Sequence, residues 1–238
     1  MIETRHLTKK FDDLVAVNDL NLSIAEGELF SLLGLNGAGK TTTIKLLSCL
    51  IRPSSGDAII LNKNIINESQ YIKQRLNVSP QETAVAPNLN VQENLQMIAG
   101  IYGISKKEIP YKVNEMIRIF DLTEIRKKKA KLLSGGMQRR LSIATALITE
   151  PEILFLDEPS LGLDVIARRE LWNIIRKLKK KITIILTTHY LEEVEALSDR
   201  VAIMQKGKIK IVGTVNELLI KTGSKSLEDA FVKLNEKP

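Results

Sequence analysis

Between residues 29 and 50 the chain reads LFSLLGLNGAGKTTTIKLLSCL. An apolar run of strand character leads into a glycine-rich loop, and a helical pattern follows at once. GLNGAGKT fits G-x-x-x-x-G-K-[ST], and the flanking strand and helix are the context that pattern needs to act as a phosphate cradle. Glycines at Gly34, Gly37 and Gly39 let the backbone curl so that N–H groups along Leu35, Asn36 and Ala38 point inward. The helix beginning near Lys40 adds partial positive charge at the same place. Lys40 is then expected to reach the β- and γ-phosphates of a nucleotide, and the Thr41 hydroxyl, with Thr42 beside it, to face Mg²⁺, which prefers hard oxygen ligands.

The complementary carboxylates come from ILFLDE at 153–158. Four apolar residues in a row predict a strand buried on both faces, so Asp157 and Glu158 emerge at its carboxyl end, where α/β sheets put their ligands. Asp157 is read as part of a Mg²⁺ shell and Glu158 as the group that orients or deprotonates an attacking water. An acidic pair at a strand end also serves as an ordinary helix cap.

The rest of the chain reads as an α/β fold. Short candidate strands lie near VAVNDLNLSI and DAIILNKNI, with turn signals at Glu26-Gly27 and Ser55-Gly56, and they predict an antiparallel sheet. From about Val91 to Lys131 the pattern is helical, as in VQENLQMIAGIYG and KVNEMIRIFDL, and it reads as an insertion. Strands return as EILFLDE, KITIILTTH and RVAIMQKGKIKIV, while Leu171, Ile174, Ile175 and Leu178 mark one helix face. Near the end, Thr214 with Glu217 and Ser226 with Asp229 have capping-box spacing, ahead of an apolar face of Leu227, Ala230, Phe231 and Leu234.

Composition narrows the classes. The 238 residues are 44% hydrophobic, enough to bury a sizeable core, and a single cysteine, Cys49, excludes an internal disulfide and reads as a small buried hydrophobe. No apolar run approaches the roughly 20 residues of a membrane span, and MIETRHLTKK lacks the apolar stretch of a signal peptide, so a cytoplasmic protein is expected. The formal charge of +7 suits nucleic acid, an acidic membrane surface or an acidic partner without choosing among them. The basic runs at Arg126 to Lys131 and Arg176 to Lys181 read as solvated faces, and His6 as a surface residue.

LSGGM at 133–137, ahead of the ILFLDE strand, carries a resemblance over nearly the whole chain: it is similar to the nucleotide-binding subunit of an ATP-binding cassette (ABC) transporter, and with EPSLGLDVIARRELW to export-type cassettes. The resemblance implies one domain over 1–238: a RecA-like P-loop NTPase core with an antiparallel β subdomain at about 1–90 and 131–212, a helical subdomain at about 91–130, and a tail at 213–238. It implies ATP and Mg²⁺ as ligands and a head-to-tail pair of cassettes, most simply a homodimer. In that pair Ser134, Gly135 and Gly136 serve the nucleotide held by the other subunit's Gly34–Thr42 loop. It further implies that Gln81 is the Q-loop glutamine sensing Mg²⁺, His189 the switch histidine on the γ-phosphate, Asp164 the aspartate bridging the two sites, and Phe11 the aromatic on adenine. Taken alone, Gln81 is an ordinary loop residue, His189 a structural histidine and Phe11 a core residue. Met137 departs from the glutamine more usual in the signature. The expected partner is a separate membrane permease docked on the helical insertion and the Gln81 loop, at the cytoplasmic face of the membrane, with no nucleic acid expected and the cargo unread. Relatives acting on nucleic acid or ribosomes form the alternative; they commonly carry two cassettes or a long coiled coil, which this chain lacks. A P-loop kinase explains the first loop but not LSGGM.

Overall fold

A computed structural model describes residues 2–236. Two sheets face each other. The first is antiparallel and four-stranded, in the order β2 (Leu14–Ile24), β1 (Ile2–Phe11), β4 (Ser55–Ile60), β5 (Lys63–Asn64). The second runs β10 (Lys208–Gly213), β9 (Arg200–Gln205), β3 (Leu29–Leu33), β8 (Thr183–Thr188), β7 (Ile153–Asp157), β6 (Leu76–Ser79). All its pairs are parallel except β9 with β10.

Strand alternation explains why the central segments are apolar throughout. In β7, Leu154 and Leu156 enter a core shared with the helical part of the chain, while Ile153 and Phe155 face the antiparallel sheet. In β8, Ile184 and Leu186 go to the first core and Ile185 to the second. A strand covered on both faces has no position for a polar side chain until it ends, so the ligand-bearing residues fall at the strand termini.

The helices α1 (Lys40–Leu47), α2 (Ser69–Lys73), α3 (Val91–Ile101), α4 (Ile109–Ile119), α5 (Gly135–Leu147), α6 (Val165–Leu178), α7 (Leu191–Leu197), α8 (Val215–Thr222) and α9 (Leu227–Glu236) complete the described chain. Helices α3 and α4 pack on each other and on α5 through Val91, Leu95, Val113 and Ile117. Asn90 and Glu93 close a reciprocal capping box at the start of α3. Thr214 and Glu217 do the same for α8. At α9 only half of the expected box forms: the Asp229 N–H donates to Ser226 Oγ at 3.1 Å. Leu171, Ile174, Ile175 and Leu178 are all buried, as their spacing predicts.

Four elements depart from the sequence reading. Strand β1, whose sequence IETRHLTKKF looks polar, is the central partner of both β2 and β4. It is bulged, so Ile2, Thr4 and Leu7 all face inward although their spacing breaks alternation. Ser55-Gly56 opens β4 instead of turning, across the register shift between Arg5 and Thr8. Strand β6 has four residues, two of them polar, and α2 is a single short helix. Cys49 is half-buried rather than buried, packed at the edge of the second core in a left-handed conformation just past α1. No described helix is long and apolar enough to cross a membrane.

Candidate nucleotide site

A cleft of about 540 Å³ lies at the carboxyl end of β3 and is lined by Leu14, Val15, Ala16, Asn36 through Thr42, Gln81, Glu158, Lys206 and Gly207. Its floor is the loop between β3 and α1. Gly39 caps α1 at φ 104°, and a Cβ there would meet the Ala16 carbonyl at 2.4 Å. A Cβ on Gly34 would meet the Met204 carbonyl at 2.5 Å. Backbone approaching this closely requires glycine at both positions, and at Gly39 the left-handed φ requires it as well; the result is a curled loop at a helix start.

Lys40 is buried at 6% exposure, with Nζ donating to the Gly34 carbonyl at 2.7 Å and pairing with Glu158 Oε1 at 3.0 Å. The other Glu158 oxygen meets His189 Nδ1 at 2.8 Å. Glu158 sits at φ 48°, a conformation costly for a non-glycine residue, and its N–H is held by the carbonyl and hydroxyl of Thr187, both at 3.1 Å. The strand end thus aims this one carboxylate at Lys40 and His189 together.

Asp157 accepts from Thr187 Oγ1 at 2.5 Å and from Thr41 Oγ1 at 3.2 Å. A hydroxyl from the first turn of α1 therefore faces a carboxylate from β7, and Gln81 lines the same cleft. These hard oxygens suit Mg²⁺. Among the described residues no group of three or more His, Cys, Asp or Glu side chains is placed to hold a metal.

Ser134, Gly135, Gly136 and Asp164 do not line this cleft. Ser134 is the N-cap of α5, accepting from the Met137 N–H at 3.3 Å, and Gly135 borders a second hollow of about 380 Å³ with Gln81, Gln138, Arg139 and Leu161. Asp164 caps α6 through the N–H groups of Ile166 and Ala167, both at 2.9 Å. Phe11 does not line the main cleft either: it is 44% exposed at the end of β1, with the Lys9 ammonium 5.0 Å from its ring centre. Leu35 is exposed at the rim.

Two groups escaped the sequence reading. The β9–β10 turn inserts Lys206 and Gly207 into the cleft wall, and the Gly207 N–H donates to Ala38 O at 2.9 Å, bracing the glycine loop. A Lys-Gly turn is too common a signal to have marked it. Glu193, fully buried on α7, receives a hydrogen bond from Trp172 Nε1 at 2.9 Å. Burial pushes its carboxyl above the ordinary range.

Residues 17–161 match the family model described as ABC transporter. The chain is 42% identical over 217 residues to the human phospholipid-transporting ATPase ABCA3, covering 90% of this chain and 13% of that protein. It is 36% identical over 221 residues to the daunorubicin resistance ATP-binding protein DrrA3 of Streptomyces coeruleorubidus, covering 92% and 70%. Its fold matches the ATP-binding cassette MJ0796, solved as a dimer in a post-hydrolysis state bound to ADP and Pi, with a TM-score of 0.80 and 26% identity over 90% of this chain and 98% of that one.

Proposed function

Since the chain belongs to the ABC transporter family, we propose that it is an ATP-hydrolysing subunit whose nucleotide-driven dimerisation powers a membrane permease carried on a separate polypeptide. The single observation that carries this reading is the convergence of Lys40 and His189 on Glu158 beside the glycine loop, Lys40 Nζ 3.0 Å from one carboxylate oxygen and His189 Nδ1 2.8 Å from the other. Export fits the drug-resistance function named for DrrA3. The division into a core with β subdomain (about 1–90 and 131–212), a helical part (about 91–130) and a tail (213–238) belongs to the same reading.

In it, the loop from Gly34 to Thr42 cradles the ATP phosphates with backbone N–H groups, and Phe11 swings onto adenine from the rim. Thr41, Asp157 and Gln81 would hold Mg²⁺, which would neutralise phosphate charge. Lys40 has one ammonium for two claims, Glu158 and phosphate. Phosphate entering the cradle draws Lys40 away and frees Glu158 Oε1 for a water, while His189, hydrogen-bonded to Oε2, keeps the carboxylate aimed. Removing the proton from water as it attacks is then the task of Glu158, and the opposite edge of the His189 ring is left for contact with the γ-phosphate.

Ser134, Gly135 and Gly136 complete the site of the opposing protomer, which accounts for their distance from this chain's own cleft. A capped helix start next to exposed backbone is an anion cradle in its own right. Asp164 then lies at the junction between sites. Met97 and Ile101 on α3, Tyr102 just past its end and Tyr111 on α4 leave apolar surface exposed, which supports this part of the chain as the permease dock. Each ATP, gripped from both sides, closes the dimer, and losing its γ-phosphate opens it.

The test is Glu158→Gln. ATP binding should persist, hydrolysis should fall roughly 100-fold or more, and sedimentation should show a stable ATP-bound dimer. Lys40→Ala should weaken ATP binding itself. Hydrolysis by Glu158→Gln at the parent rate would remove the assigned base.

A further inference from the structure

Arg139 is a buried cation that the proposed chemistry does not use. It leaves α5 just over a turn past Ser134, with 4% of its surface exposed. Its neighbour Arg140 is paired with Asp121 and Glu170. Arg139, among the described residues, has no carboxylate within ion-pairing distance. Its two terminal nitrogens instead donate to successive backbone carbonyls, NH1 to Pro80 at 2.6 Å and NH2 to Gln81. Burial lowers its pKa from the usual guanidinium range, and the charges of Asp157 and Glu193, acting from further off, offset this in part. A desolvated charge without a counter-ion is costly, and a neutral side chain could fill the space. What a guanidinium adds is a rigid planar fork that fixes two acceptors at once.

Those acceptors belong to the segment that carries Gln81 into the main cleft, while the helix that supplies the fork begins at Ser134. The second hollow lies where these two segments meet. We propose that Arg139 is a positioning residue that ties the start of α5 to the Gln81 loop, so that docking of Ser134 on the opposing protomer's nucleotide sets the placement of Gln81 on this protomer's own. The inference rests on the reading above, in which Ser134 and Gln81 serve different nucleotides. Any shift of the α5 start relative to the core must then move the Gln81 backbone or break two charge-assisted hydrogen bonds. By reciprocity, a nucleotide seated at Gln81 biases α5 toward the partner.

The experiment places Arg139→Met and Arg139→Lys in the Glu158→Gln background and measures two affinities: ATP for the dilute monomer, and protomer for protomer at saturating ATP. With Met, the dimer dissociation constant should rise about tenfold, a typical coupling, while monomer ATP affinity stays within about twofold. Lysine, which keeps the charge but reaches one carbonyl at a time, should recover part of the loss. In the active protein, Gln81→Ala combined with Arg139→Met should turn over no more slowly than Gln81→Ala alone.

Unchanged dimer affinity in Arg139→Met would overturn the inference. So would a parallel loss of ATP affinity and thermal stability that lysine fails to rescue, which marks a structural residue, or losses that multiply in the double variant. Failure of Glu158→Gln itself to dimerise with ATP, or a parent rate in Gln81→Ala, strikes instead at the underlying reading and takes the inference down with it.

Discussion

Glu193 is a residue whose energetics depend on pH. It is fully buried, its pKa is raised from an ordinary 4.5 chiefly by burial, and Glu158 adds to the rise, while the hydrogen bond from Trp172 opposes it. A native state that holds a proton more tightly than the unfolded chain gains stability that is fully present below pH 4.5 and is lost as pH climbs through the raised value. Glu193→Gln has no proton to lose. Melting curves of parent and variant should therefore diverge with pH, the parent losing stability relative to the variant above about pH 4.5, and a pH-independent gap would refute the assignment. The sequence did not flag this carboxyl, because EEVEAL reads as an exposed acidic helix start; Arg139 was hidden in the same way within MQRRL. Gly39 was legible, because a loop at left-handed φ with backbone 2.4 Å from a would-be Cβ leaves no other residue type. Phe11 is an aromatic left exposed at the end of β1 rather than a core residue, and its place outside the main cleft depends on the path of β1, which no local pattern encodes.

At the scale of elements, α5 separates a structural from a chemical role. Its N-cap bond from Met137 N–H to Ser134 Oγ, 3.3 Å long and exposed, is worth about 1 kcal/mol. Ser134→Ala should lower unfolding stability by that amount in urea titration, yet reduce ATP turnover by far more than a weakened cap explains, if the hydroxyl serves a neighbouring nucleotide. A turnover loss of only a few-fold would leave Ser134 as a plain cap. The tail helices make a purely structural contrast: Leu227 is fully buried in the small core formed with Leu33, Val201 and Leu218, so Leu227→Ala should cost about 2–5 kcal/mol. Elements with an unbroken signal were readable from sequence: β3 and β7 as apolar runs, α6 by its helix face, α3 and α4 as an insertion. Strand β1 was not, since bulges against both partners put Thr4 and Leu7 on one face and break the period of two. Strand β6 was too short to show any period. In both cases pairing partners far along the chain, not local preference, make the strand.

For the whole molecule, the decisive fact is that one chain carries two glycine-rich helix starts that do not share a cleft: Asn36–Thr42 line one hollow and Gly135 borders another. If both grip the same ATP, the grip is between chains, and two copies related head to tail form two composite sites. The formal charge of +7 on each copy opposes association until nucleotide brings negative charge to the interface, so dimerisation should follow ATP and per-protomer turnover should fall on dilution. A sharper consequence concerns mixtures. Lys40→Ala spoils the loop but keeps the Ser134 cradle; Ser134→Ala spoils the cradle but keeps the loop. Each alone has two defective sites per dimer. In a mixed dimer both defects fall in one site, and the other joins an intact loop to an intact cradle. Equal mixing makes about half of the dimers mixed, each with one of two sites restored, so two inactive preparations should recover roughly a quarter of parental turnover when combined. Recovery should scale with the mixed-dimer fraction as the ratio is varied. Silence at every ratio would mean that each chain completes its own site, and the head-to-tail arrangement would have to be abandoned even with the fold and family unchanged.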